Sequence, residues 1–145
     1  MPKKLVIGLT LGILVVAAAF IFFSSGNKYD ATGKFSGLEI DKSISLNSIF
    51  SADTVCLIPN GIDPFTFLNQ NFTGKGADRG YDYDSAYTWY VMAVNDRDNT
   101  ARIMSVDRNR IPNDFQTVIC SRKLTVAVKN KGNQRHISVF NDQRQ

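Results

Sequence analysis

The chain has 145 residues, 43% of them hydrophobic, and a formal charge of +4, which suits one compact domain and excludes two. That charge is too mild to argue for a nucleic-acid partner. Two cysteines and one histidine are also too few for a zinc site of the usual four-ligand kind, so no metal or cofactor is expected.

Leu5 to Phe23 reads LVIGLTLGILVVAAAFIFF, nineteen residues without a charge, an amide or a proline. As a helix rising about 1.5 Å per residue it spans roughly 28 Å, close to the ~30 Å hydrocarbon core of a bilayer. Lys3 and Lys4 precede it, and Ser24, Ser25, Gly26 and Asn27 separate it from Lys28. Positive charge stays on the cytoplasmic side, so the N-terminus is expected inside and the rest outside. Residues 1–27 read as a signal anchor in a bacterial inner membrane, with a single-pass helix over 5–23. A cleaved secretory signal is the alternative. Ser24-Ser25-Gly26 offers the small residues of a cleavage site, but the apolar run exceeds the usual ~7–15 residues. Gly8 and Gly12 form a GxxxG, through which two such helices would pair as a homodimer.

Beyond residue 27 the charge is unevenly distributed. Residues 28–96 hold five basic and nine acidic side chains, and residues 97–145 hold ten basic and four acidic. Either the two halves pair within one fold, or the C-terminal half presents a basic surface to an anionic partner or to lipid head groups. Cys56 and Cys120, in TVCLIP and TVICSR, read as a disulfide in a protein exported to the periplasm.

Residues 28–37 are polar and glycine-containing and predict a tether, with the domain proper over 38–145. Apolar residues at alternate positions in Leu38–Ile40 and Ile44–Leu46 predict a strand, interrupted at Lys42. Thr54 to Pro59 is a compact apolar run typical of a buried strand. Asp63 and Pro64 then open a helix, aspartate as cap and proline at the first turn, with Phe65, Leu68 and Phe72 on one face. Residues 73–87, TGKGADRGYDYDSAY, have neither helical nor strand period and read as a contact loop.

Thr88 to Asn95, TWYVMAVN, is apolar on both faces, as a central strand requires. Asp96-Arg97-Asp98-Asn99 turns the chain into Thr100 to Val106, a hairpin. Leu124 to Lys129 alternates cleanly, Lys131-Gly132-Asn133 turns, and His136 to Phe140 returns as a second hairpin. The sum is an α+β domain: one antiparallel sheet of five to six strands, one main helix and one disulfide.

Catalytic chemistry finds little support. His136 sits in a terminal strand without a GxSxG motif or a positioned carboxylate partner in sequence. Asp82 and Asp84 would stand about 6–7 Å apart in an extended chain, the spacing of a glycosidase pair, but nothing around them in sequence would bury either one. The composition better suits a non-enzymatic protein-binding module tethered in the periplasm, of the bacteriocin-immunity or hydrolase-inhibitor type. An accessory subunit of an envelope complex, or an envelope-polymer hydrolase acting through Asp82 and Asp84, are the alternatives. The expected contact surface joins Asp78, Arg79, Tyr81, Asp82, Tyr83, Asp84 and Tyr87 to Arg97, Arg102, Arg108 and Arg110, since tyrosine and arginine most often anchor interfaces.

Overall fold

The computed structural model describes residues 28–78 and 86–140. The apolar stretch Leu5–Phe23 lies outside them, and no helix among the described residues is long and apolar enough to cross a membrane.

The elements follow in the order α1 (Thr32–Ser36), β1 (Ser43–Ser45), α2 (Leu46–Phe50), β2 (Thr54–Ile58), α3 (Pro64–Asn71), β3 (Gly76–Asp78), β4 (Thr88–Asn95), β5 (Thr100–Asp107), β6 (Ile119–Ser121), β7 (Thr125–Lys131) and β8 (Gln134–Phe140). The strands form two sheets rather than the single sheet expected: β3-β5-β4-β2-β6 and β1-β7-β8. Pairing is antiparallel except where β3 runs parallel to β5, with Asp78 opposite Arg102.

β4 lies at the centre of the larger sheet because both of its faces are apolar. Trp89, Val91 and Ala93 join Val55, Leu57, Met104 and Val106 in a core that the smaller sheet closes with Val126, Val128 and Ile137. Tyr90, Met92 and Val94 point the other way, into a second core with Ile58, Ala101 and Ile103 that α3 covers through Leu68. The result is three layers, helix on sheet on sheet. Asp63 caps α3 as its position predicts, its carboxylate accepting from Phe65 N at 3.0 Å and Thr66 N at 3.4 Å. In the β7–β8 hairpin Gly132 takes φ +66°, a left-handed turn conformation that glycine adopts without strain.

Three expectations need correction. Residues 29–36 are not a tether: Ala31, Thr32 and Phe35 are buried, and Phe35 stacks near Trp89 and Phe50 with ring centroids 5.2 and 6.0 Å away. Leu38–Ile40 is not a strand; Ile40 makes an isolated bridge to Val128, and Leu46 opens α2, with Leu124 O accepting from its main-chain nitrogen at 2.9 Å. The segment after α3 is not wholly irregular, since Gly76–Asp78 adds a strand to the edge of β5.

Cys56 and Cys120 form the expected disulfide, facing each other across the β2–β6 pairing at a Cα separation of 4.0 Å. Cys56 is fully buried and Cys120 is exposed. The bond therefore fastens a three-residue edge strand, too short to hold itself, to the core of the sheet.

Candidate functional site

The expected contact surface does not come together as one patch. Arg79, Tyr81, Asp82, Tyr83 and Asp84 lie outside the described residues. The others divide among three places along the β4–β5 hairpin. Arg97 is in the turn at one end, while Tyr87, Arg108 and Arg110 are at the other. Eight-residue strands set the two ends roughly 24 Å apart by the rise of about 3.4 Å per residue.

Between them, Asp78 and Arg102 serve the fold. Asp78 Oδ1 accepts from the Tyr29 hydroxyl at 2.7 Å and stands 3.4 Å from Lys28 Nζ, while Oδ2 accepts from Arg102 Nε at 3.2 Å. This carboxylate ties residues 28–29 to the sheet edge. The Tyr29 hydroxyl, with the Arg102 and Lys28 cations behind it, holds the Asp78 carboxyl below its ordinary value. A second junction of the same kind fastens the hairpin turn. Asp96 pairs with Lys75 at 3.1 Å and Arg122 at 2.9 Å, and its main-chain nitrogen donates to Asp53 Oδ2 at 2.7 Å. Lys75 foremost, and Arg122, hold the Asp96 carboxyl low. Both junctions join a carboxylate of the acidic half to an arginine of the basic half. Internal pairing thus accounts for part of the charge asymmetry.

It does not account for Arg108 and Arg110. Arg108 N donates to Tyr87 O at 2.8 Å and Arg110 N to Asp107 O at 3.2 Å, bonds that shape the turn after β5 and leave both side chains exposed. Among the described residues neither guanidinium has a hydrogen-bond or ion-pair partner. Tyr87 beside them is 62% exposed, the most exposed large hydrophobic side chain described. The Thr32 hydroxyl fixes the base of this knuckle by accepting from Asp107 N at 2.9 Å. Two guanidinium groups, free among the described residues, and an aromatic ring on one turn can hold carboxylates through paired, planar hydrogen bonds.

His136 occupies a different place. The residue is buried on β8, with Nδ1 3.3 Å from Asp114 Oδ2 but lacking hydrogen-bond alignment. Beside it a cleft of about 290 Å³ opens between the β6 and β8 edges, lined by Asp114, Phe115, Ile119, Ile137, Ser138 and Val139. No group of three or more His, Cys, Asp or Glu among the described residues has the arrangement of a metal site.

Two groups of important residues escaped sequence reasoning. Tyr29 and Lys28 were hidden by the polar look of residues 28–37. Yet Ala31, Phe35 and Leu38 stand at i, i+4 and i+7, a helical apolar face that was there to be read. Asn47 gave no such signal. Its Oδ1 accepts from Leu124 N at 2.8 Å, and its Nδ2 lies within 3.2–3.3 Å of the Ala52, Asp53 and Ser121 carbonyls.

No family model matches the chain, and comparison with curated proteins and with solved structures finds no match either.

Proposed function

We propose that this protein is a non-enzymatic binding module, held on the periplasmic side of a bacterial inner membrane by residues 1–27. It neutralises or accompanies another envelope protein by covering an acidic part of that protein's surface, as an immunity protein or hydrolase inhibitor does. One observation carries the reading: Tyr87, Arg108 and Arg110 stand exposed on one turn and unpaired among the described residues, while Arg102 and Arg122 are engaged by Asp78 and Asp96. Interfaces concentrate their energy in such tyrosines and arginines, about 2 kcal/mol or more for each central anchor.

The test is a crosslink and pull-down of the full-length protein from its native envelope. A single partner is expected in stoichiometric yield with the unaltered chain. The double variant Arg108→Glu/Arg110→Glu is expected to lose it at least roughly tenfold, given anchors of that size. Arg97→Glu, at the far end of the hairpin, is the control that leaves recovery unchanged. Equal recovery with the double variant refutes the reading.

A further inference from the structure

Residues 29–31 join the larger sheet. Ser105 N donates to Tyr29 O at 2.8 Å and Ala31 N donates to Ser105 O at 2.9 Å. Asp30 bridges Ser105 in the parallel sense, so residues 29–31 continue along β5 the outer line that β3 begins. The Tyr29–Asp78 bond locks the two pieces together.

Four residues, Ser24 to Asn27, separate Phe23 from Lys28. An extended chain advances at most about 3.6 Å per residue, so the five steps from Phe23 to Lys28 reach no further than roughly 18 Å. The polar layer of each leaflet itself occupies about 5–8 Å. A membrane helix ending near Phe23 leaves no stalk; it brings this sheet edge to the head groups.

We infer that the outer edge of the five-stranded sheet, Gly76–Asp78 with Lys28–Ala31, is the membrane-facing surface of the domain and rests against lipid phosphate head groups. The inference depends on the anchoring proposed above. The chemistry of the edge suits that position. Lys28 and Arg102, with side chains 59% and 48% exposed, supply two cations that can meet phosphate, and Asp78 with the exposed Asp30 balances them, so the edge carries no net negative charge. Arg102 gives Nε to Asp78, and its terminal nitrogens have no partner among the described residues. Among the described residues β3 ends the sheet, and a strand edge left without a partner invites unwanted pairing with other chains, which a head-group layer prevents. At about 4.8 Å per strand, the opposite edge with β6 and Cys120 stands roughly 19 Å further from the bilayer.

The test uses the full chain in vesicles of phosphatidylcholine and phosphatidylglycerol that carry head-group nitroxide lipids. A fluorescent amino acid replaces either Ala77, on β3, or Thr117, beside β6, both exposed positions. Flotation of the vesicles is measured first, and Trp89 fluorescence reports that each variant is folded. The protein is expected to float, with quenching at 77 at least roughly threefold that at 117, as the ~19 Å difference in height requires. Floating protein with equal or stronger quenching at 117 overturns the orientation while anchoring stands. Failure to float removes the anchor and this inference with it.

Discussion

Replacing Phe35 by alanine separates the two readings of the N-terminal segment. Phe35 is 1% exposed, and its ring centroid lies 5.2 Å from that of Trp89 and 6.0 Å from that of Phe50. Burying a phenylalanine contributes about 1.5–3 kcal/mol by transfer. Truncation adds a cavity cost of about 24 cal/mol per Å³ left unfilled, and phenylalanine-to-alanine changes in cores total about 3–5 kcal/mol. Collapse of α1 into the gap is limited because Ala31 and Thr32 are pinned to β5 by hydrogen bonds to Ser105 and Asp107. A domain of this size loses roughly 4 °C of melting temperature per kcal/mol, so a fall of about 12–20 °C is expected. The chain has one tryptophan, Trp89, fully buried against Phe35, and its fluorescence reports unfolding of the detergent-solubilised full chain. Lys34→Ala, exposed on the same helix, is the control and should stay within about 0.5 kcal/mol. A loss below about 1 kcal/mol for Phe35→Ala, with Trp89 emission unchanged, would refute the packing of this segment into the core.

Asn47→Ala strips Leu124 N of its partner and should cost about 1–3 kcal/mol in urea unfolding. Asn47→Asp should cost more, because it turns a carboxylate oxygen towards three carbonyls; the reverse order would exclude the amide donor from the role assigned to it. The double change Cys56→Ala/Cys120→Ala opens a loop with a sequence separation of 64, worth about 4 kcal/mol by the chain-entropy estimate, and should lower the urea midpoint accordingly. The Asp78 carboxyl is held below its ordinary value of 3.8 in the folded chain, so its contribution is complete above that pH and fades as pH falls through the lower, folded value. Unfolding measured from pH 5 down to pH 2 should fall more steeply for the unaltered protein than for Asp78→Asn, which loses about 1 kcal/mol at neutral pH. Parallel curves would remove Asp78 from the clamp.

Much of the fold was legible because local signals were strong. Asp63-Pro64 marked the start of α3, the unbroken apolar run of Thr88–Asn95 marked a strand covered on both faces, and alternation marked β7 and β8. The candidate site was less legible. Exposure and pairing of a charge depend on what approaches it from distant parts of the chain. Arg102 and Arg108 look alike in sequence. One lies opposite Asp78 across a parallel pairing, and the other sits on a turn where no carboxylate pairs with its guanidinium among the described residues.

By itself the sequence determined whatever rests on neighbours in the chain: the caps, the turns, the apolar periods, the charge imbalance and the two cysteines that pair. Only the tertiary structure decided that the strands divide into two sheets, that residues 29–36 close the core between them, and which arginines stay unpaired. Those outcomes turn on contacts between positions such as 29 and 78 or 47 and 124. No local preference encodes them, because their energy exists only once the distant partner has arrived.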